Sequence, residues 1–151
     1  MTALIVRDAL AGRKITSYPK TTGSRGIHIY TPIVRGPLQK EVWTFAKAPA
    51  KDLERENPKV ITAEYRIAKR PDNRVLVDYK QNAWGRTLSS VYSVRPRRRT
   101  TASAPVTWEE VEAGIEIDDF RIDNMRDRLK RQGTFISRCF GKADASGWKS
   151  F

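Results

Sequence analysis

Four features of this chain could do chemistry, and each could equally be ordinary structure. The first is Asp78, the lone carboxylate of the run Arg74-Val75-Leu76-Val77-Asp78-Tyr79. Period-two alternation puts Val75 and Val77 on one face of a strand, with Leu76 and Asp78 on the other. Desolvating an isolated carboxylate there is costly unless a cation or donor meets it. Gln81, Asn82 and Arg86 follow closely, so Asp78 could face a metal-bound phosphate or cap the turn at Gln81–Gly85. The second feature is the polar loop Lys20-Thr21-Thr22-Gly23-Ser24-Arg25-Gly26. Successive N–H groups of such a loop can form an anion-binding concavity, although Thr-Gly-Ser is also common turn chemistry. The third is His28, the only histidine, which shares a strand face with Tyr30 while Ile27 and Ile29 face the other way. It is either a site residue or a satisfied structural histidine. The fourth is the basic cluster Arg95-Pro96-Arg97-Arg98-Arg99.

The elements that must position these residues are legible in outline. Thr2 to Ala11 reads as a helix stopped by Gly12, with Leu4, Ile5 and Leu10 for the core. The chain starts almost inside that helix, which predicts a missing upstream segment. Strands are expected over Lys14–Pro19, Gly26–Pro32, Val60–Lys69, Arg74–Tyr79 and Thr87–Val94. Leu38 to Glu56 has helical spacing, with Pro49 expected to kink or split it. Its charges, Asp52 and Glu54 included, read as a solvated face. The run from Thr100 through Pro105 reads as a separator before the last third. Thr107-Trp108-Glu109-Glu110 is a capping box that opens a short helix to Ala113. A final helix is expected from Met125 to about Cys139, capped by Asn124, with Met125, Leu129 and Ile136 inward and Arg126, Arg128, Lys130 and Arg131 outward. Residues 1–140 are expected to fold as a single domain, and 141–151 to form a tail docked, if at all, by Trp148 and Phe151.

Composition narrows the class. At 151 residues the chain suits one domain with a real core, and 39% hydrophobic residues with four Trp argue against disorder. A formal net charge of +12 and a pI near 10.2 favour a polyanionic partner, nucleic acid first and nucleotide phosphates second. No run is long enough for a membrane span or a signal peptide, so no membrane partner is expected. The single cysteine, Cys139, excludes an internal disulfide and fits a reducing cytoplasm. One His and one Cys argue against structural zinc.

Three ordered motifs carry a resemblance. They are Lys20-Thr21-Thr22-Gly23-Ser24-Arg25-Gly26-Ile27-His28, then Val75-Leu76-Val77-Asp78-Tyr79-Lys80-Gln81-Asn82, then Tyr92-Ser93-Val94-Arg95-Pro96-Arg97, with Ala104-Pro105-Val106-Thr107-Trp108-Glu109-Glu110 as a further continuation. In these the chain resembles the primase-polymerase domain of bacterial ligase D, of the archaeo-eukaryotic primase superfamily, which fills and extends DNA ends in non-homologous end joining. The resemblance runs from about Val6 to the final helix. It implies a mixed α/β (α+β) fold, a largely antiparallel sheet flanked by helices. It also implies nucleotide-binding roles for Thr22, Arg25, His28, Arg70, Gln81, Arg95 and Arg97, with Arg74 the alternative to Arg70. Thr22 stands where a serine is usual and keeps the hydroxyl. Asp78 matches the third of three aspartates that hold Mn2+ or Mg2+ and would be the catalytic carboxylate. Arg98 and Arg99 would meet DNA. The implied partners are DNA ends, nucleoside triphosphates, a fused or separate ATP-dependent DNA ligase and an end-binding protein, in a bacterial cytoplasm at the nucleoid.

One departure weighs against activity. The first two metal ligands of such domains form an Asp-x-Asp pair upstream of the loop, and this sequence contains no Asp-x-Asp. Two-metal phosphoryl transfer needs several carboxylates around a close pair of cations. The pairs Asp52 with Glu54 and Asp118 with Asp119 lie downstream and read as surface charges. The expectation is therefore a C-terminal part of the domain, inactive alone. In that state an arginine, Arg70, Arg74 or Arg86, is expected to neutralise Asp78. The alternative is a non-catalytic nucleic-acid or nucleotide-binding remnant.

Overall fold

The structure, a computed structural model, describes residues 2–96 and 98–132. It divides into two compact units. One draws on the chain up to Ala9 and on Arg35–Leu88; the other on Leu10–Val34 and the chain from Ser89 onward. Helix α1, Thr2–Ala11, begins in the first and ends in the second. Its bounds are those the sequence predicts, and Leu10 is the buried member of its apolar trio.

In the first unit, α2 spans Gln39–Glu56 with Pro49 inside it, so the proline does not split the helix. A proline withholds one N–H from the helix ladder and crowds the carbonyl four residues back. Packing offsets that cost: Ala50, Ala63 and Tyr79 form the core, flanked by Trp43, Ala46 and Val77. Trp43 meets the Tyr79 ring edge-on at 5.5 Å. Strand β3 is only Ile61–Thr62, paired in parallel with β4, Val75–Leu76. The longer strands expected over Val60–Lys69 and Arg74–Tyr79 are replaced by short helical turns at Ile67–Lys69 and Tyr79–Asn82. Glu54, expected on a solvated face, instead accepts from the Ala63 N–H at 2.7 Å and the Thr62 hydroxyl at 3.1 Å, tying α2 to β3.

In the second unit, β1 (Tyr18–Thr21) and β2 (Ile27–Tyr30) form an antiparallel hairpin. Lys14–Pro19 is therefore mostly approach rather than strand. Thr87–Val94 makes no strand; Val94 contributes a single antiparallel bridge to Ala102. The run expected to be a separator is the floor of the unit: Thr101, Ala102, Ser103, Ala104 and Val106 are all buried. Small side chains let this segment pass close beneath the hairpin. Its backbone is satisfied by Thr21 N–H to Ala104 O at 2.8 Å and by Lys20 bridging Pro105. Helix α3, Trp108–Ala113, carries the predicted box: Thr107 Oγ1 accepts from Glu110 N–H and Glu110 from Thr107 N–H.

Helix α4 spans Ile122–Gln132. Asn124 does not precede it but sits inside its first turn, where its Oδ1 accepts from the Arg121 N–H at 2.9 Å. Arg128, expected outward, turns in: it grips both Glu110 oxygens at 2.6 and 2.7 Å and Pro105 O at 2.8 Å, over the Phe120 ring. Ile136, Cys139, Trp148 and Phe151 lie outside the described residues. The architecture is mixed α/β, and its strand pairings are antiparallel except for β3–β4.

Candidate nucleotide site

The glycine loop is the turn of the β1–β2 hairpin, and its own hydroxyl organises it. Thr22 Oγ1 accepts from the N–H of Ser24 at 3.1 Å and of Gly26 at 3.2 Å. Thr22 N–H closes the turn on Gly26 O at 2.9 Å. A hydroxyl used twice as acceptor still has a proton to donate. Gly23 has φ +66°, and a Cβ there would lie 2.7 Å from Arg95 Cγ and 2.9 Å from both Ala102 C and Ser103 N. Only glycine lets the loop lie this close to the floor and to the Arg95 stem. Thr101 pins it from below, donating to Gly23 O at 2.7 Å.

Around this loop the structure gathers cations. Arg95 is held by its own N–H to Thr101 O and by Nη1 to the Ser89 hydroxyl, both at 2.7 Å. Arg25 is exposed at the loop tip, and no carboxylate among the described residues pairs with it. His28 pairs in register with Lys20, so both side chains share one face of the hairpin. The imidazole meets Tyr30 edge-on at 6.3 Å. Its atom Nδ1 is buried and makes no hydrogen bond among the described residues, although His28 has other interactions. Arg97 lies outside the described residues. Arg98 is exposed, and Arg99 is exposed but ion-paired with Asp118.

Lys20 was not singled out from the sequence. It is fully buried, its Nζ donating to Ser89 O at 2.8 Å and Ser103 Oγ at 2.5 Å, and Ser103 Oγ donates on to Thr21 O at 2.8 Å. Burial, and then the Arg95 charge, push its pKa down to about 8. The available signal was its place two residues before Thr22 on the His28 face.

In the first unit, Asp78 stands two residues after β4 and caps the turn Tyr79–Asn82. It accepts from Lys80 N–H at 3.0 Å and Gln81 Nε2 at 3.2 Å. This is the capping alternative left open by the sequence, with the capped turn at Tyr79–Asn82 rather than Gln81–Gly85. No arginine pairs with it among the described residues, contrary to expectation. Arg70 donates to the carbonyls of Glu64 and Tyr65 instead, and Arg86 lies over the Tyr65 ring, as does Lys80. Gln81 is thus beside Asp78, whereas Arg70 is engaged with backbone. No cluster of three His, Cys, Asp or Glu exists among the described residues, and both Asp78 oxygens already hold donors. This donor set does not fit a pair of divalent ions.

Comparison with known proteins agrees with the motif reading. The family model described as LigD, primase-polymerase domain matches residues 1–136. The chain is 33% identical over 132 residues to the multifunctional non-homologous end joining protein LigD of Mycolicibacterium smegmatis, covering 87% of this chain and 17% of that protein. It is 35% identical over 120 residues to the bifunctional LigD of Bacillus subtilis, covering 79% and 20%. Among solved structures, it matches the polymerase domain of Mycobacterium tuberculosis ligase D in complex with DNA. The TM-score is 0.82 at 32% identity, over 91% of this chain and 47% of that one. The chain thus spans under half of that solved domain and about a fifth of these curated relatives. Among the described residues, no helix is long and apolar enough to cross a membrane.

Proposed function

Because this chain belongs to the LigD primase-polymerase family, we propose that it serves nucleotide addition at DNA ends in non-homologous end joining, and that its hairpin loop holds the triphosphate of the incoming nucleotide. The observation that carries this reading is the loop itself. It is a preorganised turn whose Thr22 hydroxyl keeps a proton to donate and whose glycine packs on the Arg95 stem, with Arg25 at its tip. Arg25, Arg95 and Arg97 would neutralise phosphate oxygens through charge-assisted hydrogen bonds, which are the strong ones. His28, on the hairpin face, would add a ring N–H donor. These contacts bind and orient the polyphosphate, and fixing it in place is the share of catalysis this unit can supply. Arg98 and Arg99 would meet the DNA backbone, and a ligase, fused or separate, with an end-binding protein, would complete the repair.

Binding of a nucleoside triphosphate, measured by calorimetry, tests this reading. His28→Ala and Arg95→Ala should weaken it, and Arg131→Ala on the exposed face of α4 should not. Equal affinities in all three variants would remove the loop from the function.

A second reading, binding without catalysis by this chain alone, is favoured by the donor set at Asp78. Under it, Asp78 becomes a ligand for Mn2+ or Mg2+ only beside further carboxylates. Primer extension should then be absent with this chain and present when a segment bearing an Asp-x-Asp pair is joined to it. Asp78→Ala should abolish it again. Robust extension by this chain alone would refute the second reading.

A further inference from the structure

Against the loop's floor lies a buried charge, Lys20, that no acid among the described residues balances. Lys20 is wholly buried, yet both of its hydrogen bonds go to neutral oxygens, Ser89 O and Ser103 Oγ. The charged and titratable groups that face it are few. Arg95 shares Ser89 with it, taking the hydroxyl while Lys20 takes the carbonyl. His28 is its cross-strand partner, Tyr18 and Tyr30 are the next register pair on that face, and the Tyr30 ring lies 5.8 Å from Nζ. The floor segment Thr101–Val106 presents no titratable side chain. No acid is among these groups. A buried ammonium without a counter-ion is unfavourable. A neutral amine, with two N–H donors, satisfies both oxygens just as well.

We infer that Lys20 is a positioning residue of the phosphate loop whose missing counter-ion is the bound polyphosphate, so that nucleotide binding draws a proton onto the Lys20 amine. The inference rests on the triphosphate reading given above. The ammonium does not touch solvent in the free chain. It acts through the floor, holding Ser89 and hence Arg95 on one side, and Ser103 and hence the Thr21 carbonyl on the other. An anion on the loop supplies the negative field that the site lacks and favours the charged form.

The sign follows from linkage. Burial holds the free chain's Lys20 at about 8; an adjacent anion raises it. Well below pH 8 the amine is charged in both states and binding moves almost no proton. Above it, binding takes up as much as one proton and weakens as pH rises, to about tenfold at pH 9 relative to pH 7.5.

The experiment is calorimetry of ATP binding, without divalent metal, from pH 7.5 to 9.5 in two buffers of different ionisation enthalpy, so that protons are counted. Wild type should take up a proton above pH 8. Lys20→Met should bind at least fivefold more weakly at pH 7.5 and take up none. Lys20→Arg, charged throughout, should retain most of the affinity with no proton uptake. A direct reading comes from the 13Cε shift of Lys20 in labelled wild-type protein, which should titrate near 8 when free and higher with ATP. Titration of the free chain in the ordinary lysine range, or undiminished proton uptake by Lys20→Met, would overturn the inference while leaving the triphosphate reading intact. Failure of wild type to bind ATP at any pH would overturn both.

Discussion

Replacing Gly23 by alanine tests the close approach on which the loop depends. Two costs add. The residue sits at φ +66°, and a side chain in the left-handed region costs about 1–2 kcal/mol. The new Cβ would also stand 2.9 Å from the Ala102 carbonyl carbon and the Ser103 nitrogen. The Arg95 Cγ, 2.7 Å away, must give way close to its own backbone. The Ala102–Ser103 peptide cannot shift, because Ala102 N–H is bound to Phe120 O and Ser103 N–H to Ser93 O. Overpacking against such backbone costs roughly 1–3 kcal/mol, for a total of about 2–5 kcal/mol. Gly26→Ala is the control within the same turn. Its Cβ would meet Thr22 Cγ2 at an ordinary 3.5 Å, and its φ lies outside the left-handed region. Urea unfolding followed by far-UV circular dichroism reads both variants. Gly23→Ala should lose several times more stability than Gly26→Ala and also bind ATP more weakly, since Arg95 must move. If the two variants unfold within about 0.5 kcal/mol of each other, the close approach is not what selects glycine at position 23.

Three other perturbations follow from the geometry. Arg128→Ala should cost about 2–3 kcal/mol in chemical unfolding, because Glu110 and Pro105 O lose a shared donor, and Arg128→Lys should not restore the two-pronged grip; a loss no larger than that of Arg126→Ala would contradict this. The Lys51 ammonium, then the Ala63 N–H, hold the Glu54 carboxyl below its ordinary 4.5. A carboxylate depressed in the folded state stabilises above its unfolded value and loses that contribution as pH falls through the folded one. Glu54→Gln should therefore cost about 1 kcal/mol at pH 7 and flatten the acid limb of the stability profile; an unchanged acid limb would exclude it. DNA binding should weaken steeply with added salt and vary little with sequence, given the +12 charge and the arginine-rich run over 95–99; filter-binding titrations at several salt concentrations would expose a salt-insensitive complex.

Where a signal is local, the sequence carries it. The α1 bounds, the Thr107–Glu110 box and the capping of the turn by Asp78 all involve residues within a few positions of one another. The hairpin around Gly23 and Gly26 is legible for the same reason. What failed was the reading of apolar runs as long strands and of Thr100–Pro105 as a separator. Thr101 to Ala104 find their partners about eighty positions away, in Thr21 and Gly23, and no local period encodes that. Lys20 was passed over because a lysine in a polar loop is ordinarily solvated. Only the distant Ser89 and Ser103 make it a buried one. Arg128 was read outward from its neighbours' spacing, and the Glu110 grip that turns it inward again crosses between elements.

The floor beneath the hairpin also sets an order of events during synthesis. Residues 18–30 can pair as soon as they emerge, since hairpin closure is fast and local. Yet Thr21 N–H, Thr21 Oγ1 and the Lys20 amine find their partners only in Ser89 and in Ala102 to Ala104. Until the ribosome has released that stretch, the loop is a turn without support, its lysine in water and its glycine carbonyl unmet. The glycine loop is therefore made well before the segment that finishes it. A nascent chain stalled before residue 101 would hold the whole Lys20–His28 motif and lack the surface that shapes it.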